Sequence, residues 1–244
     1  KTVNYNRDLE AFPLLRRILE KITGEESMYK SPTDMGVNRA SAGIINDSVI
    51  AEASHQEIIR RYFRCAVEYA MGLVEKDTLD WAKLIMEKVQ AKVEDRKVVL
   101  PARKAAVEAQ ETGKGNEGMY CGAAIELNDG TLISGKNSPL MHSASSLILN
   151  ATKHLAGLPD NMHLLPANMI EQVTFLKKEV LTGKMISLDV EETLIMMGIS
   201  AISNPAAQLA LEKLSELRNC EVHLTHIPTP GDEAGLRKLH VNLS

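Results

Sequence analysis

Small polar side chains crowd one stretch of the sequence, where a helix is predicted to begin. Asn137 and Ser138 stand at this start, and His142 follows them. Free backbone N–H groups and the helix dipole favour an anion at a helix N-terminus, so Asn137 and Ser138 are predicted to bind a ligand. The alternative, which the sequence leaves open, is ordinary capping, with Ser145 and Ser146 packing closely on a sheet.

A glycine-rich loop at residues 112–118 is a second candidate for anion binding. Its backbone amides, together with Lys114 and Asn116, would offer positive potential to a phosphate group. The alternative is a plain linker between a helical part and an α/β part of the chain. Lys114 and Asn116 therefore join Asn137 and Ser138 as predicted ligand-binding residues.

Two histidines are the candidates for catalysis. His142 lies in the polar cluster, and His226 lies with Thr229 and Asp232 where a strand is predicted to pass into a loop. Catalytic groups are often found at such junctions, and the imidazole can exchange a proton near neutral pH. An isolated histidine at such a place can equally be structural.

Motifs of several familiar reaction types are absent. No Gly-Lys pair is followed by Ser or Thr as in a P-loop, and neither H-E-x-x-H nor Cys-x-x-Cys occurs. The cysteines Cys65, Cys121 and Cys220 are odd in number and far apart, which is typical of a reduced cytoplasmic protein. Proteolysis of the zincin type and standard P-loop nucleotide binding are therefore unsupported.

The elements before the glycine-rich loop are predicted to be helices. Residues 1–49 are expected to form a connecting segment that packs on a missing N-terminal half, and residues 50–112 a helical subdomain. Ser54 and Glu57 have the spacing of a capping box, and apolar residues recur every four positions after them. Pro101 is predicted to open the last helix of this subdomain.

Residues 113–244 are predicted to form a layered α/β domain, with a mixed α+β arrangement. Its first feature is a hairpin around Asn128-Asp129-Gly130, because Asp-Gly supplies the positive φ angles of a tight turn. The predicted order is ββαβαβααββ, with later strands at residues 162–165, 184–188, 221–227 and 237–243, and helices at residues 138–156, 168–181, 189–203 and 205–217.

Composition excludes several classes of partner. The 244 residues are 44% hydrophobic and 25% charged, which is typical of a globular protein, and the formal charge of −4 gives no attraction for nucleic acid or an anionic membrane. Aromatic residues make up only 4%, which argues against a base-stacking surface. We expect a cytoplasmic protein with no nucleic-acid or membrane partner.

The predicted elements around His142-Ser143-Ala144 and Pro166-Ala167-Asn168-Met169-Ile170 resemble the core of the cytidine deaminase fold. That fold uses H-x-E for a zinc ligand and a general acid/base, and P-C-x-x-C for two thiolate ligands. Ala144 stands here at the Glu position, and Ala167 and Ile170 stand at the thiolate positions. One imidazole cannot hold Zn²⁺, which needs three or four ligands. The resemblance implies a deaminase-like scaffold with no metal site and no deaminase chemistry.

Long strings of the sequence resemble the C-terminal half of the UPF0371 (DUF1846) family. They include SPTDMGVNRASAGIINDSVIAEASHQEIIRRYFRCAVEYAMGLV, from residue 31, and NPAAQLALEKLSELRNCEVHLTHIPTPGDEAGLRKL, from residue 204. The resemblance implies a bacterial cytoplasmic protein of about twice this length and unknown function. Some members carry an ATP-dependent peptidase label, which no residue in this chain supports.

Two functional hypotheses follow. In the first, the complete protein is an enzyme that handles a nucleotide or another phosphate compound, with ATP hydrolysis and a divalent metal open to it. Its site would lie between this half and the missing one. In the second, the chain is a non-catalytic, degenerate deaminase scaffold for oligomer assembly or ligand sensing. The missing zinc ligands and the apolar, Met-rich helix at residues 194–202 favour the second hypothesis, and both predict a homo-oligomer.

Overall fold

The computed structural model describes residue 22, residues 47–181 and residues 186–244, without the side chains of residues 47–51. The chain divides into two compact units, residues 1–96 and residues 97–244. Almost all of the predicted connecting segment, residues 1–49, lies outside the described residues. In the described part, no helix is long and apolar enough to cross a membrane.

The first unit contains helices α1 (Asp47–Ala70) and α2 (Lys76–Lys88), which pack on each other, and a 3-10 turn at Val93–Asp95. The capping box predicted at Ser54 and Glu57 is wrong, because α1 begins well before it. Glu57 instead forms an ion pair with Arg60, one turn further along the helix. The apolar periodicity did identify a buried side, which includes Ile59 and Cys65.

The second unit begins with α3 (Val99–Glu111) and the hairpin strands β1 (Gly122–Glu126) and β2 (Leu132–Lys136). The hairpin is confirmed, and Gly130 has the positive φ of 86° that its turn requires. Helix α3 packs against β1 and β2, whereas the sequence grouped it with the helical subdomain. The predicted domain limits at 49/50 and 112/113 stay predictions.

The unit continues with α4 (Ser143–Leu155), α5 (Ala167–Phe175) with a π-turn at Leu176–Val180, and α6 (Val190–Ser200). It ends with α7 (Pro205–Glu212), a 3-10 turn at Lys213–Leu217, β3 (Glu221–Leu224), α8 (Pro230–Lys238) and β4 (Asn242–Leu243). The sheet order is β2-β1-β3-β4, with β1 antiparallel to both neighbours and β3 parallel to β4. The expected mixed α/β class is confirmed.

Strand β1 is buried on both faces because a helix covers each one. Ala124 packs with α3 through Ala102, whereas Ala123 and Ile125 belong to the core that includes Leu147 of α4. Neighbouring side chains of a strand point to opposite faces, so α3 and α4 enclose the sheet between them.

Three predicted strands are wrong in whole or in part. Residues 162–165 form no ladder; the Leu164 carbonyl accepts a hydrogen bond from the Ser200 hydroxyl. In the segment predicted at 184–188, residues 184 and 185 lie outside the described part, and Leu188 makes a single bridge to Met141. Most of residues 237–243 is not strand, because Pro230 begins α8 and Thr229 with Asp232 forms its capping box.

Candidate functional site

A pocket of about 290 Å³ runs along α4 in the second unit. Helix α4 contributes Ser146, Leu149, Asn150 and Lys153. Their spacing of three and four residues places them on one face of the helix. The segments after α3, after β2 and before α5 complete the walls with Lys114, Lys136, Asn137, Ser138, Met141, Met162, His163, Leu164 and Leu165, and Ile170 of α5 closes them.

Positive charge dominates the polar part of the pocket. Lys114, Lys136 and Lys153 line it, and the set of lining residues contains no Asp or Glu. The Lys153 ammonium donates to the Asp160 backbone carbonyl at 2.8 Å, and Lys136 Nζ lies 3.7 Å from Oε2 of Glu108 outside the wall. The Lys114 backbone N–H donates to the Ala109 carbonyl at 2.9 Å, but its side-chain ammonium has no hydrogen bond or ion pair in the described part of the chain. The pocket therefore presents cationic groups that its own walls do not neutralise.

The side chains of two predicted ligand-binding residues, Asn137 and Ser138, form hydrogen bonds with the backbone of the pocket wall. Asn137 Oδ1 accepts from the Cys121 N–H at 2.8 Å, and its Nδ2 donates to the Met119 carbonyl at 2.9 Å. Ser138 Oγ accepts from the N–H groups of Leu140 and Met141, each at 3.3 Å. These bonds hold the end of the hairpin and the following turn in place.

The structure brings Lys114, Asn137 and Ser138 into the pocket, but Asn116 is not among the lining residues. The Asn116 side chain lies 3.5 Å from the Ser187 hydroxyl, and its backbone pairs with Met119. Lys136 and Lys153 were missed. The helical spacing of Ser146, Asn150 and Lys153 was a usable signal for one of them.

Ser146, Asn150 and His163 add polar groups to the pocket wall, and another part of the wall is aliphatic. Leu149, Leu164, Leu165 and Ile170 are each at least nine-tenths buried and belong to one core cluster. Met162 is 38% exposed and is the more accessible part of this wall. No Phe, Tyr or Trp side chain lines the pocket.

A second polar cluster lies in the same unit, around the buried carboxylate of Asp232. Nδ1 of His142 lies 2.7 Å from Oδ2 of Asp232. The Thr229 hydroxyl donates to the same oxygen at 2.8 Å, and the Val190 N–H donates to Oδ1 at 3.1 Å. Asp232 is fully buried. Burial raises the pKa of Asp232. The hydrogen bond and the charge of His142, together with the hydrogen bonds from Thr229 and Val190, outweigh burial, so the pKa is lowered.

The other histidine predicted for catalysis belongs to this cluster too. Nδ1 of His226 lies 3.5 Å from the Ser143 hydroxyl, at the limit of a hydrogen bond. Burial lowers the pKa of His226; the Asp232 carboxylate opposes this shift, and His142 adds to it. Nε2 of His142 is buried with no hydrogen-bond partner in the described residues. The structure thus brings His142 and His226 together around Asp232, outside the set of residues that line the pocket.

The nitrogen of His142 that faces Asp232 is held in that hydrogen bond. Ala167 and Ile170 carry no ligand atoms at the thiolate positions of the deaminase resemblance, and Ala144 carries no carboxylate at the acid/base position. Across residues 47–181 and 186–244, no three His, Cys, Asp or Glu side chains are placed to hold a metal ion. The contacts that hold the Asp232 cluster together are hydrogen bonds.

Comparison with known proteins supports the family resemblance that the sequence showed. The family model described as "Domain of unknown function DUF1846, C-terminal" matches residues 94–244, and its N-terminal counterpart matches residues 1–90. The assignment of the whole chain to the C-terminal half is therefore corrected, because the chain includes residues from both domains.

Relatives that match include UPF0371 proteins from clostridia. The chain is 50% identical over 243 residues to one from Clostridium botulinum (strain Alaska E43 / Type E3), covering 100% of this chain and 48% of the relative. It is 49% identical over 242 residues to one from Clostridium tetani (strain Massachusetts / E88), covering 99% of this chain and 48% of the relative. The chain spans about half the length of these relatives.

Proposed function

The chain belongs to the DUF1846 family, and from that premise we propose that its second unit binds a small phosphate-bearing molecule in the pocket along α4. The observation that carries this proposal is the set of three lysines with no carboxylate among the lining residues. A cleft with one sign of charge and low-dielectric walls concentrates ligands of the opposite charge.

Lysine also has the right chemistry for a phosphate group. Its ammonium is a compact point charge with three rotatable donors, and it is a common phosphate ligand. Lys114 is the best placed of the three, since it has no competing partner in the described part of the chain. The proposal accordingly places the ligand within the second unit, rather than at a junction with another half of a longer protein.

In the complete protein, we propose that this pocket serves an enzyme of nucleotide or phosphate chemistry, with ATP hydrolysis as one form. His142 and His226 would then be acid–base candidates from the neighbouring cluster. Binding of a nucleotide with a divalent metal, a cytoplasmic location and contact with further parts of the full-length protein belong to the same proposal.

A second candidate function is a non-catalytic scaffold of the deaminase type, used for ligand sensing or homo-oligomer assembly. The hairpin and His142 at the start of the next helix support this scaffold, and Ala144, Ala167 and Ile170 at the Glu and thiolate positions make it a degenerate one. An apolar stripe on α6 and just beyond it supports assembly, because Ile195, Ile199 and Ile202 recur at helical spacing and are 64%, 52% and 86% exposed.

Calorimetric titration with inorganic phosphate and ATP, each with and without Mg²⁺, tests ligand binding. We expect Lys114→Gln to weaken the binding of either ligand by about tenfold, since one charge-assisted contact contributes about 1.5 kcal/mol or more. Lys83→Gln is the matched control, because Lys83 is an exposed helical lysine of the first unit. Equal binding by both variants, or no binding of either ligand to the wild type, would refute the proposal.

A phosphate-release assay on a protein of the relatives' full length separates the two candidates. Turnover that depends on His142 favours the enzyme. Ligand binding without turnover, together with a ligand-dependent change of mass in light scattering, favours the scaffold.

A further inference from the structure

The pocket walls differ in a way that narrows the chemistry of the ligand. Resting on the proposed function, we propose that the ligand is a phosphate monoester with an apolar organic part. Its phosphate group would lie among the lysines, and its organic part against Leu149, Leu164, Leu165 and Ile170. Neither the family match nor the charge of the pocket alone requires the ligand to have an apolar part.

The aliphatic wall is a fixed surface. Its four members are 3–9% exposed and pack in one core cluster with Leu188, Met196 and Met197. The side chains of a close-packed core keep their places, so this part of the wall stays apolar. Whatever lies against this wall must therefore accept apolar contact.

The two amides at the pocket are partly engaged with the backbone. Both ends of the Asn137 amide are bonded to the hairpin backbone. The Asn150 amide donates to the Ser134 carbonyl at 3.0 Å. A hydroxyl group that lies against the four aliphatic residues would find no hydrogen-bond partner there, and each unpaired buried group costs about 1–3 kcal/mol.

The dimensions of the pocket limit the size of the ligand. Seven residues of α4 separate Ser146 from Lys153, which is about 10 Å at a rise of about 1.5 Å per residue. The volume of about 290 Å³ lies at the lower end of the roughly 300–1,000 Å³ usual for ligand pockets. One phosphate with one ring or short chain fits these dimensions better than a dinucleotide does.

The test compares probes with the same anionic group. We expect phenyl phosphate to bind the wild-type chain about tenfold more tightly than glycerol 3-phosphate, because only the phenyl ring gains free energy from apolar burial. Inorganic phosphate measures the contribution of the lysines alone, and AMP tests whether a nucleobase serves as the apolar part.

Met162→Ser reports on the apolar wall without emptying the core, because Met162 is 38% exposed. We expect it to weaken phenyl phosphate binding by about threefold while inorganic phosphate binding changes by less than about twofold. Met71→Ser is the matched control, since Met71 is 54% exposed and lies in the first unit.

The outcomes separate this inference from the proposed function. If phenyl phosphate and glycerol 3-phosphate bind equally, or glycerol 3-phosphate binds more tightly, the inference is wrong while anion binding stands. A Met162→Ser variant with wild-type affinity for phenyl phosphate would also refute it. If inorganic phosphate, ATP, AMP and phenyl phosphate all fail to bind, both proposals fall together.

Discussion

The second unit has two polar clusters that α4 helps to build, and they handle charge in opposite ways. In the pocket, the Lys114 ammonium has no partner in the described residues and no acidic side chain lines the walls. In the Asp232 cluster, the carboxylate accepts from His142, Thr229 and the Val190 backbone. Polar residues crowd both places in the sequence, so composition alone does not distinguish them.

The difference separates a cluster whose groups are engaged in the fold from a pocket whose ammonium groups remain accessible. Asp232 connects the start of α8, where it completes the capping box, with His142 before α4 and Val190 at the start of α6. A carboxylate with all these partners has little capacity left for a ligand. The lysines of the pocket make few contacts that the fold requires.

The largest expected effect is therefore on the buried cluster. Asp232→Ala would leave the His142 ring, the Thr229 hydroxyl and the Val190 N–H without their acceptor. Removal of one partner of a buried charged pair costs about 3–5 kcal/mol, and we expect a loss of that size in the free energy of unfolding, measured by urea titration with far-UV circular dichroism.

Glu233→Gln is the control for this variant, because Glu233 is the next residue and its carboxylate is half exposed in an ion pair with Arg237. We expect its effect to stay below about 0.5 kcal/mol. Two variants of equal stability would show that the buried bonds contribute no more than a surface pair, and the contrast drawn above would fail.

An intermediate effect is expected on the pH dependence of stability. The lowered pKa of His226 means that the unfolded chain takes up a proton more readily than the folded one as the pH falls below about 6.5. Stability is therefore fully present above that pH and decreases below it. Asp232, with its lowered pKa, adds a second loss in strong acid, below the usual carboxylate pKa.

Urea titrations at several pH values between 8 and 4 would measure this dependence, with His226→Gln as the comparison. We expect the decrease between about pH 7 and 5 to be smaller in the variant, whatever its absolute stability. A variant whose curve runs parallel to that of the wild type would show that His226 does not carry this part of the dependence.

The smallest expected effect is on the stability of pocket variants. Lys114→Gln and Lys153→Gln should each change the free energy of unfolding by less than about 0.5 kcal/mol, since surface substitutions without buried partners rarely do more. The same urea titration checks this. A loss of 2 kcal/mol would mean that the lysines maintain the fold, and the pocket would no longer differ from the Asp232 cluster.

Local signals in the sequence predicted part of this fold well. Asp129-Gly130 identified the hairpin, and the helix predicted from residue 189 does begin there, with a capping box of Asp189 and Glu192 at the start of α6. These features depend on interactions between residues close in sequence, and such interactions can be read from the chain alone.

Features that depend on tertiary packing were missed. Residues 162–165 are apolar because they fill a core next to Met196 and Met197, and they need no strand to do so. Helix α3 packs on the sheet through small residues, Ala102 and Ala105, which have no strong apolar signal. The pocket was found in part for the same reason, since Lys136 and Lys153 come together only when β2 packs on α4.

Gly135 allows a close approach between the backbones of β2 and α4. A Cβ at this position would collide with the Leu147 backbone and would lie 2.7 Å from the Ser143 carbonyl oxygen. The spacing between these elements is thus set by a missing methyl group. Lys136 is the next residue along β2, and Ser146 immediately precedes Leu147. The distance between these two walls of the pocket is therefore determined by main-chain contact. Side chains around the rim can be exchanged, which would change the ligand preference without changing the width of the pocket.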